Sequence, residues 1–121
     1  MPGCALKQII LARRNGFFEL RGTKGEQGWT SKVNLPGSKQ CRISEEEPAD
    51  LTCFFEPPAR WNYPSVRERV RSSLPSGWTS EEKNGQYDIR FYAGPAGDPR
   101  AVDILFFDGW HLWVTVNAPK R

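Results

Sequence analysis

The stretch QCRISEEEPADLTC, residues 40–53, contains two of the three cysteines of the chain and is its most informative segment. If the third glutamate lies at the centre of a turn, the two cysteines lie opposite each other, and so do Ile43 and Leu51. Side chains alternate between the two faces of a strand, so these four residues would share one face. The spacing therefore predicts a β-hairpin with an acidic turn.

Three kinds of chemistry use a cysteine pair, and spacing separates them. A cross-strand disulfide is feasible where the Cα atoms of opposite residues approach to about 4.5 Å. Zinc needs four ligands, whereas this chain offers three cysteines and one histidine with no two-residue spacing between any of them. A redox pair would use Cys-x-x-Cys at a helix start, which is absent. We expect a disulfide between Cys41 and Cys53, with two reduced, packed cysteines as the alternative, and no metal site.

A disulfide indicates that the chain matures in an oxidising compartment. We therefore expect a periplasmic or secreted protein whose signal peptide has been removed, with a cytoplasmic protein as the alternative. The sequence leaves open whether Cys4 is free, lipidated or paired. The longest apolar run is residues 104–107, far shorter than the ~18 residues of a membrane span, so no membrane span is expected.

The length of 121 residues corresponds to a single domain over residues 1–121. Charged residues make up 26% of the chain and hydrophobic residues 38%, with seven Phe, five Trp and three Tyr, which is typical of a folded, aromatic-rich protein. The net charge is only +3, and the acidic residues are spread among the basic ones. This balance is not typical of nucleic-acid-binding proteins, so we do not expect nucleic acid as a partner.

Two segments have the periodicity of amphipathic helices. The first is residues 4–14, and it is followed by Asn15-Gly16, a pair that favours a left-handed helix stop. The second lies between residues 62 and 74. Its polar side carries Arg67 and Arg71 one turn apart, a candidate clamp for a phosphate or carboxylate anion. A solvated helix face is the alternative.

The remaining segments alternate like strands and are separated by turn residues. In the first half, strands are predicted at residues 17–22 and 28–35, with a loop between them. The two halves of the chain have the same order of elements, a helix and then a meander. We therefore expect an α+β fold in which an antiparallel β-sheet of about six strands has two α-helices packed on one face, in the order α-β-β-β-α-β-β-β.

The last hairpin contains Asp108-Gly109, a pair that favours a two-residue type I′ turn. Such a turn pairs Phe106 with His111 and Ile104 with Trp113. Both faces of the hairpin then carry large apolar side chains. Because two short helices cover only one side of a sheet, the other face can stay open, whereas a sheet that curls around both faces is the alternative.

An open apolar face predicts a binding surface for a protein or a small apolar ligand, and a homodimer could use the same face. The aromatic-rich strands of the second half supply its candidate residues. They are Tyr92, Phe106, Trp110, His111 and Trp113.

Motifs for catalysis are absent from the sequence. The chain has one histidine, no Gly-x-Ser-x-Gly and no glycine-rich phosphate loop with a following lysine. We expect no catalytic residue and no cofactor, and the predicted function is an exported binding or inhibitor-like module. The alternatives are a cytosolic immunity-type or accessory protein with reduced cysteines, and a small hydrolase using His111 with a carboxylate.

The order of the cysteines and turns resembles that of small exported bacterial proteins. It consists of a leading cysteine on a helix, Leu35-Pro36-Gly37-Ser38 before Cys41, Cys53 after an acidic loop, and a later Leu74-Pro75-Ser76-Gly77-Trp78. This resemblance implies export and a cysteine pair, and it carries over no catalytic residue.

Overall fold

The computed structural model describes residues 4–56, 63–108 and 111–120. These residues form two α-helices, α1 and α2, two short 3-10 turns and eight β-strands. The helices are α1 (Cys4–Ala12) and α2 (Tyr63–Ser73), and the 3-10 turns are Arg13–Asn15 and Phe18–Leu20. The strands are β1 (Arg21–Gly25), β2 (Gly28–Ser31), β3 (Gln40–Ile43), β4 (Asp50–Phe55), β5 (Thr79–Asn84), β6 (Asp88–Gly94), β7 (Val102–Phe107) and β8 (His111–Asn117).

All eight strands form one antiparallel sheet in the order β1-β2-β3-β4-β8-β7-β6-β5. Each half of the chain is a helix followed by a four-stranded meander, and the two meanders join through their last strands, β4 and β8. The edge strands β1 and β5 are largely exposed, and β5 is exposed at all six positions. The α+β class and the antiparallel sheet are confirmed, whereas the expected count of about six strands is wrong.

The missed strand in the first half is β1, which occupies residues 21–25, where a loop was predicted. Its sequence, RGTKG, is polar and glycine-rich, so it lacks the apolar alternation that identifies a strand. The strand predicted at 17–22 is instead mostly the second 3-10 turn. The helix stop is as predicted, since Gly16 has a φ of 67°, and Phe17 follows with a φ of 64°.

The acidic hairpin has the predicted register. Cys41 lies opposite Cys53 and Ile43 lies opposite Leu51, on strands β3 and β4. The Cα atoms of the two cysteines are 4.0 Å apart, and their sulfurs lie at disulfide distance. Both cysteines are completely buried, and the acidic turn residues 45–47 are exposed. The sulfur pair therefore belongs to the protein core.

The core lies against one face of the sheet, which we call the inner face. Alternate residues of the central strands are buried there, including Leu51 and Phe55 of β4 and Leu112 and Val114 of β8. Buried side chains of α1 and α2 belong to the same core. The helix packing differs in detail from the expected pair of helices. The two helices contact each other, and the 3-10 turn that follows α1 leads the chain back into the core at Phe17.

The last hairpin has a different register from the predicted one. Phe107 lies opposite His111, so three residues, 108–110, connect β7 and β8 instead of two. Asp108 has a φ of 65°, in keeping with a longer loop that uses a left-handed residue. A shift of one residue moves every side chain of a strand to the other face. The predicted pairing of Phe106 with His111 is therefore wrong, and Phe106 lies opposite Leu112.

Candidate functional site

The sheet face opposite the core, which we call the outer face, carries the best candidate site. It consists of the residues that alternate with the core positions on β4, β6, β7 and β8. Unlike the core positions, most of these residues are only half-buried. They are Thr52, Phe54, Arg90, Tyr92, Asp103, Leu105, Phe107, His111, Trp113 and Thr115.

Four ring side chains, Phe54, Phe107, His111 and Trp113, form an aromatic cluster on this face. The ring centroids of Phe54 and Trp113 are 6.3 Å apart, and those of Phe107 and Trp113 are 5.1 Å apart, both in edge-on contacts. His111 stacks on Phe107 at 4.9 Å. None of these four residues belongs to the buried core of the described chain. The cluster is thus a half-exposed apolar surface at the middle of the sheet.

A polar row crosses the sheet next to the aromatic cluster. It runs across neighbouring strands through Tyr92, Asp103, Thr115, Thr52 and Arg42, each opposite the next. The hydroxyl oxygens of Thr52 and Thr115 are 3.1 Å apart, which joins the two meanders at the centre of the row. The outer face therefore combines an apolar centre with hydrogen-bonding groups.

The two halves of the polar row, on either side of Thr52 and Thr115, differ in charge. Arg42 is exposed, and none of the described carboxylates lies within ion-pair distance of it. Asp103 lies on the other side of the row, with Arg90 Nη1 3.5 Å from its Oδ2 atom. Its Oδ1 atom is buried without a hydrogen-bond partner in the described residues. Burial raises the pKa of Asp103, although Arg90 and Arg100 oppose the shift.

His111 is placed as a packing residue. Its ring is half-buried between Phe107 and Trp113, at centroid distances of 4.9 and 6.2 Å. Its Nδ1 atom is buried, and no partner for it occurs among the described residues. A general base needs a hydrogen bond that orients it and reaches the reacting proton. The geometry therefore gives no support to a hydrolase that uses His111 with a carboxylate.

The structure brings together some of the predicted binding residues. Tyr92, His111 and Trp113 lie on the outer face, where Tyr92 is buried beneath the Arg100 guanidinium, 4.4 Å from its ring. Phe106 lies on the inner face and stacks on Tyr63 at 5.3 Å, so it does not belong to the same surface. Trp110 lies outside the described residues.

Sequence reasoning missed Phe54, Leu105 and Phe107 as members of the outer face. Phe54 follows the buried Cys53 and therefore points to the opposite face, so the cysteine pair already contained the signal. Leu105 lies opposite Trp113, and Phe107 lies opposite His111. The predicted turn was one residue too short, and it therefore placed these two residues on the face opposite to His111 and Trp113.

Arg67 and Arg71, the candidate anion clamp, are both engaged in ion pairs. Arg67 Nη1 lies 3.0 Å from Glu82 Oε1, and Arg71 Nη1 lies 2.8 Å from Glu68 Oε1. Tyr63 donates a hydrogen bond to Glu82 as well. That hydrogen bond, followed by Arg67, lowers the pKa of Glu82, while burial raises the pKa of Tyr63. An incoming anion would have to displace a carboxylate, so the surroundings disfavour the clamp.

Within residues 4–56, 63–108 and 111–120, no three His, Cys, Asp or Glu side chains converge as metal ligands would. Neither described helix has the length and apolar character that crossing a bilayer requires.

These observations define the class of the protein as α+β, with one antiparallel sheet whose inner face packs the core and whose outer face carries a central aromatic cluster. Comparison of the chain with protein-family models, with curated proteins and with solved structures found no match.

Proposed function

We propose that the protein is a binding module that recognises a protein partner through the outer face of its sheet. The aromatic cluster carries this proposal. Trp113 and Phe54 meet edge to face at the middle of the sheet and are only half-buried. Tryptophan and other aromatic residues at the centre of a contact surface supply most of the binding energy of protein interfaces. A partner that covers half-exposed rings of this kind removes their apolar surface from water, which favours the complex.

The surroundings of the aromatic cluster also fit a protein interface. Interfaces place polar groups in a rim around an apolar centre, and Arg42, Thr52 and Asp103 supply such groups beside the cluster. Small-molecule sites are concave instead. Open cavities of about 430 and 490 Å³ lie at the two sides of this face, one at the β1–β2 hairpin, where Arg42 lines it, and one beside β5, where Tyr92 lines it. Trp113 lines neither of them, so its surroundings favour a macromolecular partner.

Photo-cross-linking tests the proposal. A photoreactive benzoylphenylalanine at Thr115 would lie on the outer face, and the same group at Leu11, which is 67% exposed on α1, is the matched control. We expect a discrete protein adduct from position 115 and none from position 11 in the cells that make the protein. Trp113→Ala should lower the adduct yield at least tenfold. Equal adducts from both positions, or none from position 115, would overturn the proposal.

We also infer that the chain matures in an oxidising compartment, outside the cytoplasm. The support is the position of Cys41 and Cys53, which are opposite each other, fully buried and at disulfide distance. Protein purified without reductant and unfolded should show one free thiol, that of Cys4, which is exposed. Three free thiols would overturn the inference of an oxidising compartment and leave the outer-face proposal untouched.

A further inference from the structure

We propose that the partner on the outer face is a second copy of this chain, packed face to face about a twofold axis. The axis runs parallel to the strands, midway between the two sheets and over the contact between β4 and β8. This inference rests on the proposed function of the outer face and names the partner that occupies it. It is carried by the order of the strands, by the opposite charges of Arg42 and Asp103 in the two halves of the polar row and by the size of the face.

The strand order makes the sheet symmetric about the β4–β8 contact. The order β1-β2-β3-β4-β8-β7-β6-β5 places β3 and β7 at equal distances on either side of that contact. A twofold axis at the contact therefore places β3 of one copy over β7 of the other, and β4 over β8. Such an interface is isologous, which means that every contact across it occurs twice.

The same operation brings opposite charges together. Arg42 on β3 and Asp103 on β7 belong to the same polar row, so each Arg42 would face Asp103 of the second copy. Arg42 has no carboxylate partner among the described residues, whereas Asp103 is 19% exposed on the same face and has Arg90 Nη1 3.5 Å from its Oδ2 atom. A guanidinium from the second copy gives Asp103 a further cation and charge-assisted hydrogen bonds. The two halves of the polar row are thus complementary in charge.

The apolar centre matches in the same way. Trp113 on β8 and Phe54 on β4 lie opposite each other in the next row, so the twofold axis places Trp113 of one copy over Phe54 of the other. Two packed sheets lie about 10 Å apart, and their strands cross at about 30°. Large rings fill a space of that thickness. The aromatic cluster then lies at the middle of the interface, beside the polar row, in which a charged pair stands on each side of Thr52 and Thr115.

The face is large enough for a stable dimer. Eight strands spaced about 4.8 Å apart, each about 20 Å long, give a flat footprint of about 600–700 Å² per copy. Both copies together would then bury about 1,200–1,400 Å², which lies at the lower end of the range for specific interfaces. The side-chain relief of the rings adds to this area. A complete face-to-face contact therefore meets the requirement for specific association.

Charge reversal tests the twofold pairing. Arg42→Asp places two carboxylates at each contact of its own dimer, and Asp103→Arg places two guanidinium groups there. Each variant alone should raise the dimer dissociation constant at least 100-fold, since like charges at an interface cost several kcal/mol. An equimolar mixture should restore the dimer, because both contacts of the mixed pair join opposite charges again. Arg69→Asp, which changes an exposed arginine on α2, is the matched control.

The measurement is mass by light scattering during gel filtration, at protein concentrations from 1 to about 200 μM, chosen to bracket the micromolar affinity of weak interfaces. The wild-type chain and the Arg69→Asp variant should have twice the monomer mass of 13.8 kDa. A monomeric wild type, or single variants whose mixture stays monomeric, would overturn the inference. If Asp103→Arg does not fold, Arg42→Asp, at an exposed position, tests it alone.

The two proposals fail in different ways. A wild-type monomer whose Thr115 position still cross-links to another protein overturns the second-copy inference and supports the binding module. A monomer that gives no adduct at that position overturns both. An adduct of twice the monomer mass, formed from two copies of the chain, supports both.

Discussion

Reduction of the Cys41–Cys53 bond should destabilise the protein by an amount that follows from its position in the chain. The two cysteines are 12 residues apart, so the bond closes a short loop. In the chain-entropy model such a loop lowers the entropy of the unfolded state by about 10 cal/mol/K, or about 3 kcal/mol at 25 °C. Unfolding entropy is about 2.1 cal/mol/K per residue, so the melting temperature should fall by about 12 °C.

The assay is urea unfolding of the same chain with and without reductant. Cys4→Ser removes the exposed free thiol, which could otherwise exchange with the pair once the chain unfolds. The urea midpoint should fall on reduction, and the slope of the transition should stay the same or rise slightly, because the unfolded chain without the bond is less compact. The matched control is a Cys41→Ala/Cys53→Ala variant in the same background, whose midpoint should not respond to reductant.

The fold itself should survive reduction, because the β3–β4 register is also held by Ile43 opposite Leu51, both fully buried. An unchanged midpoint, in protein whose two thiols are shown by mass to be free, would refute the loop-closure reasoning. A cooperative transition that disappears on reduction would refute the expectation that the fold survives without the bond.

Three further changes test other contacts. Tyr63→Phe removes the hydrogen bond to Glu82 and should cost about 2 kcal/mol at pH 7. The pKa of Glu82 is lowered in the folded state, so this loss of stability should shrink as the pH falls below about 4 and the carboxylate becomes protonated. Urea unfolding across pH measures the change. Arg13→Met removes an ion pair with the partly exposed Asp98 and a 2.7 Å hydrogen bond from Nε to the Asn117 carbonyl of β8, and calorimetry should show a loss of about 2 kcal/mol. Phe17→Ala empties a fully buried site and should cost about 3–5 kcal/mol in urea unfolding, whereas Phe18→Ala, at a side chain 67% exposed, should change little.

The acidic hairpin was predictable because its sequence is symmetric about the turn. Cysteines and aliphatic residues lie at matching distances from the third glutamate, so several side chains specify one register. The last hairpin lacks that symmetry, since apolar residues occur at nearly every position of 102–107 and 111–116. Either register buries large side chains there, and the choice depends on the length of the loop. A local signal, Asp108-Gly109, favoured the shorter loop and led to a wrong assignment of the hairpin side chains to the two faces of the sheet.

The missing strand has a different physical cause. β1 is held by backbone hydrogen bonds to β2 and buries almost no side chain, so the sequence carries no apolar pattern for it. Its formation depends on β2 being already in the sheet.

The same limit of sequence patterns applies to the candidate site. Tyr92, His111 and Trp113 were found from composition, but the polar row requires five strands in register, and single-strand patterns contain no information about that alignment.

The exposed edge strands restrict how this protein can assemble. β5 has the sequence TSEEKN and is open to solvent along its whole length, and β1 at the opposite edge carries Lys24. Charged side chains on an edge oppose the addition of another strand. Growth of the sheet into open-ended ribbons is therefore disfavoured at both edges, whereas the proposed face-to-face pairing would close after two copies. Concentrated solutions should accordingly stay free of fibrils.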